Sequence, residues 1–292
     1  MKLGLKIDVD TWRGTREGVP KLVELLERCG AGASFYFSLG PDHTGRALRR
    51  IFRPGFFSKV KRTSVVEHYG VRTLLYGTLL PGPDIGLRCR DILGKTRDAG
   101  FEVGVHCWDH VRWQDFAAGK DREWTEREML LACQRFEEIF QEKPRTWGAA
   151  GWQTNVHAAR FESRFDYASD TRGTAPFQPV WNGAALGCPQ LPTTLPTLDE
   201  LIGLANPEKE LLASTARVRP GHVFTAHAEI EGGKLAGLFE SVIKGWQAQG
   251  YDVVSLGALY RSLGPLPRHE VSYGEVPGRS GRLALQGQEI SA

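Results

Sequence analysis

Leu3-Gly4-Leu5-Lys6-Ile7-Asp8-Val9-Asp10-Thr11 stands near the amino end of a 292-residue chain. Leu3, Leu5, Ile7 and Val9 alternate with other residues, the two-residue period of a β-strand, and the strand runs out into two carboxylates with one residue between them. Outward from it, strand and helix patterns alternate. Pro20 suits a first helical turn, Leu22, Val23, Leu26 and Cys29 form one apolar face, and Gly30 is placed as a stop. A second strand over 33–39 ends at Gly40-Pro41. A helix over 87–99 leads to a strand over 101–105 that delivers His106. Thr125 and Glu128 have capping-box spacing, and Met129, Cys133, Phe136 and Phe140 repeat by four, three and four, as on one buried helix face. Further strands are predicted at 145–149, 165–169, 190–193, 222–227 and 252–255.

Seven or eight β-α units in one run predict an α/β fold with a parallel sheet. Polar residues recur where strands stop: Asp8 and Asp10, Ser38, His106, Asp170, Thr193 and His227. A (β/α) barrel gathers its strand ends around one mouth, whereas an open doubly wound sheet uses mainly those at its switch point; a barrel is therefore expected. Residues 1–265 are read as that domain, with an insertion at about 43–83, and the Gly- and Ser-rich 266–292 as a peripheral tail.

With 41% hydrophobic and 24% charged residues the composition is that of a soluble globular protein. Cys29, Cys89, Cys107, Cys133 and Cys188 are odd in number and form no C-x-x-C pair, which argues against a disulfide scaffold or zinc finger and fits a reducing compartment. Lys6 and Asp8 interrupt any signal-peptide h-region, and the longest charge-free stretch, 173–198, holds five prolines, so neither a leader nor a membrane span is expected. A cytoplasmic location follows. The net charge of +3 hides an asymmetry: Arg46, Arg49, Arg50, Arg53, Lys59, Lys61 and Arg62 occur without an acid among them, and the rest of the chain has 30 basic and 34 acidic residues. Ile51, Phe52, Phe56, Phe57 and Val60 interleave with these cations. Arg49, Arg50, Phe52, Arg53, Phe56, Phe57, Lys59, Lys61 and Arg62 are read as facing an anionic membrane surface, the competing reading being a solvated helical hairpin. One short stripe is thin support for nucleic acid, and neither that nor a protein partner is expected.

Three pieces carry chemistry: Asp8-Val9-Asp10, His106-Cys107-Trp108-Asp109-His110 and Thr225-Ala226-His227. Two imidazoles four apart reach one metal ion from a helical turn, and two histidines with a carboxylate leave positions open for water and substrate. Asp10, His106 and His110 are the candidate ligands of a divalent transition metal (zinc, cobalt or manganese), and Asp8 the candidate base. A turn or helix cap is the bland reading of the two aspartates.

Together these pieces resemble the polysaccharide deacetylases, the metal-dependent carbohydrate esterases named after the nodulation protein NodB. Their first motif ends in Asp-Asp, base then ligand, here spread as Asp8-Val9-Asp10. Their His-Ser/Thr-x-x-His motif appears as His106 to His110, with Cys107, read as a packing residue, in the hydroxyl position. The resemblance implies a distorted (β/α)7 barrel, His227 as general acid and Asp170 as the group orienting it. The motif that carries an arginine to hold the base aligns with Ala149-Ala150-Gly151-Trp152, which lacks one, and Arg172 is the expected substitute. Trp152 and Arg172 are candidate substrate contacts. Longer stretches, among them 7–20, 37–42, 169–173, 191–197 and 227–232, are similar to a branch of the family that removes a formyl group from a polyprenyl-phosphate-linked aminosugar. That branch implies a role in lipid A modification and polymyxin resistance, on the cytosolic face of a bacterial inner membrane.

Other readings stay open. Another sugar N-deacetylase would carry the same motifs. Asp8-Val9-Asp10-Thr11 also fits the opening Asp-x-Asp-x-Thr of the haloacid-dehalogenase-type phosphatases, with Asp8 as nucleophile, although this leaves His106, His110 and His227 without roles. A membrane adaptor on a catalytically dead barrel is the third.

Overall fold

β1 (Lys2–Val9) is the hub of the molecule, buried along all but its first residue. The computed structural model describes residues 1–47, 70–217 and 219–290. The nine residues expected to face a membrane, from Arg49 to Arg62, lie outside the described residues. β2 (Ser34–Ser38), β3 (Glu102–Cys107), β4 (Thr146–Trp147) and β5 (Tyr167–Ala168) follow on one side of β1, and β8 (His222–His227) on the other, in the order β5-β4-β3-β2-β1-β8. β9 (Asp252–Val254) pairs with the first residues of β1, and every pairing in this sheet is parallel. The stretch predicted as a strand at 190–193 is extended but irregular. Gln190 bridges to Ala168 and Thr193 to Arg172, while Thr194 and Leu195 donate to the Val223 carbonyl, so this segment spans the gap between β5 and β8. The sheet is thus a curled half-barrel of the kind the strand rhythm predicts.

Alternation along β1 sorts its side chains. Leu3, Leu5, Ile7 and Val9 enter the main apolar core with Leu22 and Leu26 of α1 (Val19–Cys29). Around the sheet lie α2 (Arg90–Asp98), α3 (His110–Phe116), α4 (Arg122–Phe140), α5 (Val156–Glu162), α6 (Pro207–Ser214) and α7 (Ala236–Ala248), the last adding Phe239, Ile243 and Trp246 to that core. Gly4, Lys6 and Asp8 take the opposite, inner face. There a smaller cluster of Tyr36, Tyr167, Leu191, Val223, Leu256 and Leu259 fills the interior, its last two residues from α8 (Leu256–Tyr260). A Cβ on Gly4 would meet Leu256 Cδ2 at 2.7 Å, so α8 plugs the interior against bare backbone. No helix among the described residues is long and apolar enough to cross a membrane.

Two expectations change. Thr125 and Glu128 are not a cap: α4 begins earlier, at Asp121, whose side chain accepts from Trp124 N, and Thr125 and Glu128 are buried within the helix. The expected peripheral tail is a hairpin, β10 (Arg268–Gly274) against β11 (Leu283–Glu289). It joins β6 (Gln178–Trp181) and β7 (Ala184–Ala185) in a second sheet and exchanges backbone hydrogen bonds with Arg172. Alternation in these strands is weak because their faces are half-exposed, and the Gly- and Ser-rich turn between them dominates the composition.

His222, at the buried start of β8, accepts from Arg219 Nε at Nε2 (3.1 Å). Burial, reinforced by that guanidinium, lowers its pKa to about 4. An imidazole depressed in the folded state is protonated first in the unfolded chain, so stability is lost as pH falls from 6.5 toward 4. Urea melts at pH 7.5 and pH 5 should show a drop roughly 2 kcal/mol larger for the parent than for His222→Gln. Identical drops would reject the assignment.

Candidate active site

β1 aligns Lys6 and Asp8 on its inner face and releases Asp10 just past its end. β3 ends in His106-Cys107, and after a tight turn His110 opens α3, with Asp109 capping the helix by accepting from Arg112 N at 3.0 Å. The two imidazoles therefore converge from a strand end and a helix start, not from one helical turn. Their ring centroids are 5.4 Å apart. Asp10 Oδ1 lies 3.3 Å from His106 Nε2 and 3.4 Å from His110 Nε2, and one donor atom from each of the three falls within 4.8 Å of the others.

These groups fit a metal. Asp10 Oδ1 is buried and makes no hydrogen bond. His106 donates its Nδ1–H to the Gly148 carbonyl, an acceptor only, which leaves Nε2 as the ring nitrogen facing Asp10 and His110. Burial alone would raise the Asp10 pKa; the His110 and His106 imidazoles outweigh it and hold the carboxyl well below the usual range. An anionic oxygen and two imidazoles are the donor set of a divalent transition ion. The loop carrying Asp10 is fixed by Glu229, whose Oε1 accepts from Asp10 N at 3.1 Å, Thr11 N at 2.8 Å and Thr11 Oγ1 at 2.7 Å.

Asp8 lies one step deeper. In register it pairs with Tyr36 on β2 and with His227 on β8. Neighbouring strands run about 4.8 Å apart, so the candidate base and candidate acid sit side by side on the inner face. Asp8 Oδ2 is 3.1 Å from Lys6 Nζ, while Oδ1 is buried, unbonded and 3.7 Å from His106 Nδ1. His227 donates its backbone N–H to Glu231 Oε2 at 2.7 Å, and its ring meets Trp152 edge-on with centroids 6.3 Å apart. Burial pushes the pKa of Glu231, this neighbour of His227, up to about 8.

Two expected roles do not match the geometry. Arg172 does not reach Asp8: its guanidinium forks onto Glu200 (2.5 and 3.2 Å) and lies 5.0 Å from the centre of the Trp152 ring. Asp170 accepts from Ala149 N at 2.7 Å and Gln190 Nε2 at 2.8 Å, and no hydrogen bond among the described residues joins it to His227. Both of its oxygens are taken, Oδ1 by Ala149 N and Oδ2 by Gln190 Nε2. It organises the turn after β4 instead.

Trp152 stands beside His227. It is buried and in the left-handed backbone region (φ 51°), a conformation costly for a bulky side chain and held here by its surroundings. Its Nε1 donates to Thr193 Oγ1 at 3.0 Å, and Arg172 and Arg279 stand 5.0 and 4.7 Å from its ring. Arg279, from the turn of the β10–β11 hairpin, also holds Asp199 and Glu200. Cys107 is fully buried and within 3.3 Å of Ser38 Oγ, and burial raises its thiol pKa well above normal, which fits the packing reading.

No protein-family model matches the chain. It is 38% identical over 302 residues to the probable 4-deoxy-4-formamido-L-arabinose-phosphoundecaprenol deformylase of Shewanella sediminis, covering 99% of this chain and 96% of that one. The protein of the same name from Wigglesworthia glossinidia brevipalpis is 30% identical over 281 residues, covering 94% and 98%. Among solved structures, a probable polysaccharide deacetylase from Pseudomonas aeruginosa matches with a TM-score of 0.58 at 14% identity, covering 89% of each chain. A family 4 acetyl xylan esterase from Clostridium thermocellum, solved with a cobalt ion, matches at 0.50 and 11%, covering 89% and 91%. The structural likeness shows the fold, and the sequence likeness, nearly end to end, narrows it: the chain belongs to the family of 4-deoxy-4-formamido-L-arabinose-phosphoundecaprenol deformylases.

Proposed function

We propose that the protein hydrolyses the formamide of 4-deoxy-4-formamido-L-arabinose-phosphoundecaprenol, releasing formate and the 4-amino sugar lipid. The observation that carries this is the meeting of Asp10, His106 and His110 beside the register pair Asp8–His227, in a chain related end to end to deformylases of that name. The phosphatase alternative loses its ground here, because the imidazoles it leaves idle converge on Asp10.

Asp10, His106 and His110 would hold the metal. When bound, a divalent ion at this place supplies Lewis-acid polarisation of the acyl oxygen and acidifies water. Asp8 Oδ1, the oxygen that Lys6 leaves unpaired, accepts the proton of the attacking water. His227, on the adjacent strand, gives a proton to the nitrogen as the C–N bond breaks, since an amide anion is too basic to leave unprotonated. Trp152 lies against His227 and forms an apolar wall for the sugar. The substrate's polyprenyl tail stays in a bilayer, so the mouth must meet one. Val71 and Leu79, 65% and 81% exposed, follow the basic and aromatic stretch in sequence, and exposed apolar residues together with those cations suit an anionic, cytosolic membrane face, where a role in lipid A modification and polymyxin resistance would be served.

The test presents the formamido lipid and its acetamido analogue in anionic and in neutral vesicles, with released acid and vesicle flotation both measured. Formate release with flotation on anionic vesicles is expected. No formate from the formamido lipid would reject the reaction, and equal flotation on both vesicle types would reject the electrostatic part of membrane attachment.

A further inference from the structure

Lys6 is the least expected residue of the interior. It has no exposed surface, although lysine is almost never buried without a partner. Its Nζ is 3.1 Å from Asp8 Oδ2, donates to the Ser169 carbonyl at 3.0 Å and lies 5.4 Å from the centre of the Tyr36 ring. The backbone makes room for it: a Cβ on Gly148 would come within 2.9 Å of both Lys6 Cε and Tyr36 Cδ1. Two apolar residues in place of the Lys6–Asp8 pair would fill this space without the desolvation cost of either charge, since well-packed apolar replacements of buried ion pairs are often neutral or stabilising. Packing therefore does not account for the charge. The two oxygens of Asp8 differ because of it. Oδ2 faces the ammonium, and Oδ1, buried and unbonded, stands on the side of His106.

We infer that Lys6 is a positioning residue for the reaction: its ammonium anchors Asp8 Oδ2 and thereby fixes Oδ1 toward the metal-ligand pocket. Strand geometry makes this a rigid device, since Lys6 and Asp8 are two apart on one face of a strand paired on both edges. The anchor sits two residues before the base on the same strand, so it moves with it. Arg172, engaged by Glu200, has no part in this contact. The inference rests on the reading of Asp8 as the base.

The test is a double-mutant cycle of Lys6→Met with Asp8→Asn, followed by formate release, KM and metal content. Removing a supporting partner of a site residue typically costs about 10- to 100-fold. Lys6→Met is expected to lose kcat by that factor, with KM within about twofold and metal content that of the parent. In the Asp8→Asn background the same change should cost nothing further, because Lys6 acts only through the carboxylate. Where Lys6→Met does not fold, Lys6→Gln, which keeps a donor for the Ser169 carbonyl, is read by the same criteria. A folded, metal-loaded Lys6 variant with the parental kcat overturns the inference, as does an equal loss in both backgrounds. An Asp8→Asn variant as fast as the parent marks a different failure, that of the base assignment itself.

Discussion

Asp10→Ala and His106→Ala are expected to purify with far less than one metal ion per chain and to release formate at least about 1,000-fold more slowly than the parent. The coupling of the two losses follows from geometry. Asp10 Oδ1 is the point both imidazoles face, at 3.3 and 3.4 Å, and it has no other partner, so each deletion removes one of three donors from a site that has no fourth protein donor among the described residues. Lewis-acid stabilisation is worth several kcal/mol, and every 1.4 kcal/mol is tenfold in rate. Elemental analysis beside the formate assay separates the cases. A variant that keeps stoichiometric metal and the parental rate would remove that residue from the ligand set.

Asp8→Asn should behave differently, retaining its metal while turnover falls by roughly 100- to 10,000-fold, the usual worth of a positioned proton acceptor. Asn preserves the shape of the side chain, and the loop beyond it stays anchored by Glu229, so Asp10 has no reason to move. The variant also leaves the Lys6 ammonium facing a neutral amide in a buried place, and a marked loss of thermal stability should accompany the kinetic effect. Asp8→Asn within a few-fold of the parental rate would pass the role of base to another group.

Much of this site could be read from the chain before any coordinates. The two-residue period of 3–9 and the abrupt arrival of carboxylates identified β1, and the same pattern at 101–106 and 222–227 identified β3 and β8; all three donate site residues at their carboxyl ends. Parallel sheets collect those ends, which is why Asp10, His106 and His110 meet across about a hundred positions of sequence. What escaped was pairing among charged groups. Lys6 counted only as a charge near the amino end, although its parity with Asp8 on a buried strand was a usable signal. The partners of Arg172 and Asp170 depend on which strand edges adjoin and on a segment, Gln190 to Leu195, that closes the sheet irregularly. Local pattern carries no such information. Arg279 was missed for a related reason, since its turn belongs to a hairpin whose strands lack clear alternation.

The row Lys6, Asp8, Asp10, running along β1 and just past its end, has a consequence for how this segment tolerates change. Substitutions there act one position at a time, but inserting or deleting a single residue between Leu3 and Val9 would reverse the parity of part of the row, sending some of its polar groups among Leu22, Leu26 and Trp246 while apolar neighbours took their places at the mouth. Deformylases that diverge from this one should therefore vary in spelling over these positions and keep their spacing, and any length variation should fall in the connections that follow the strand ends.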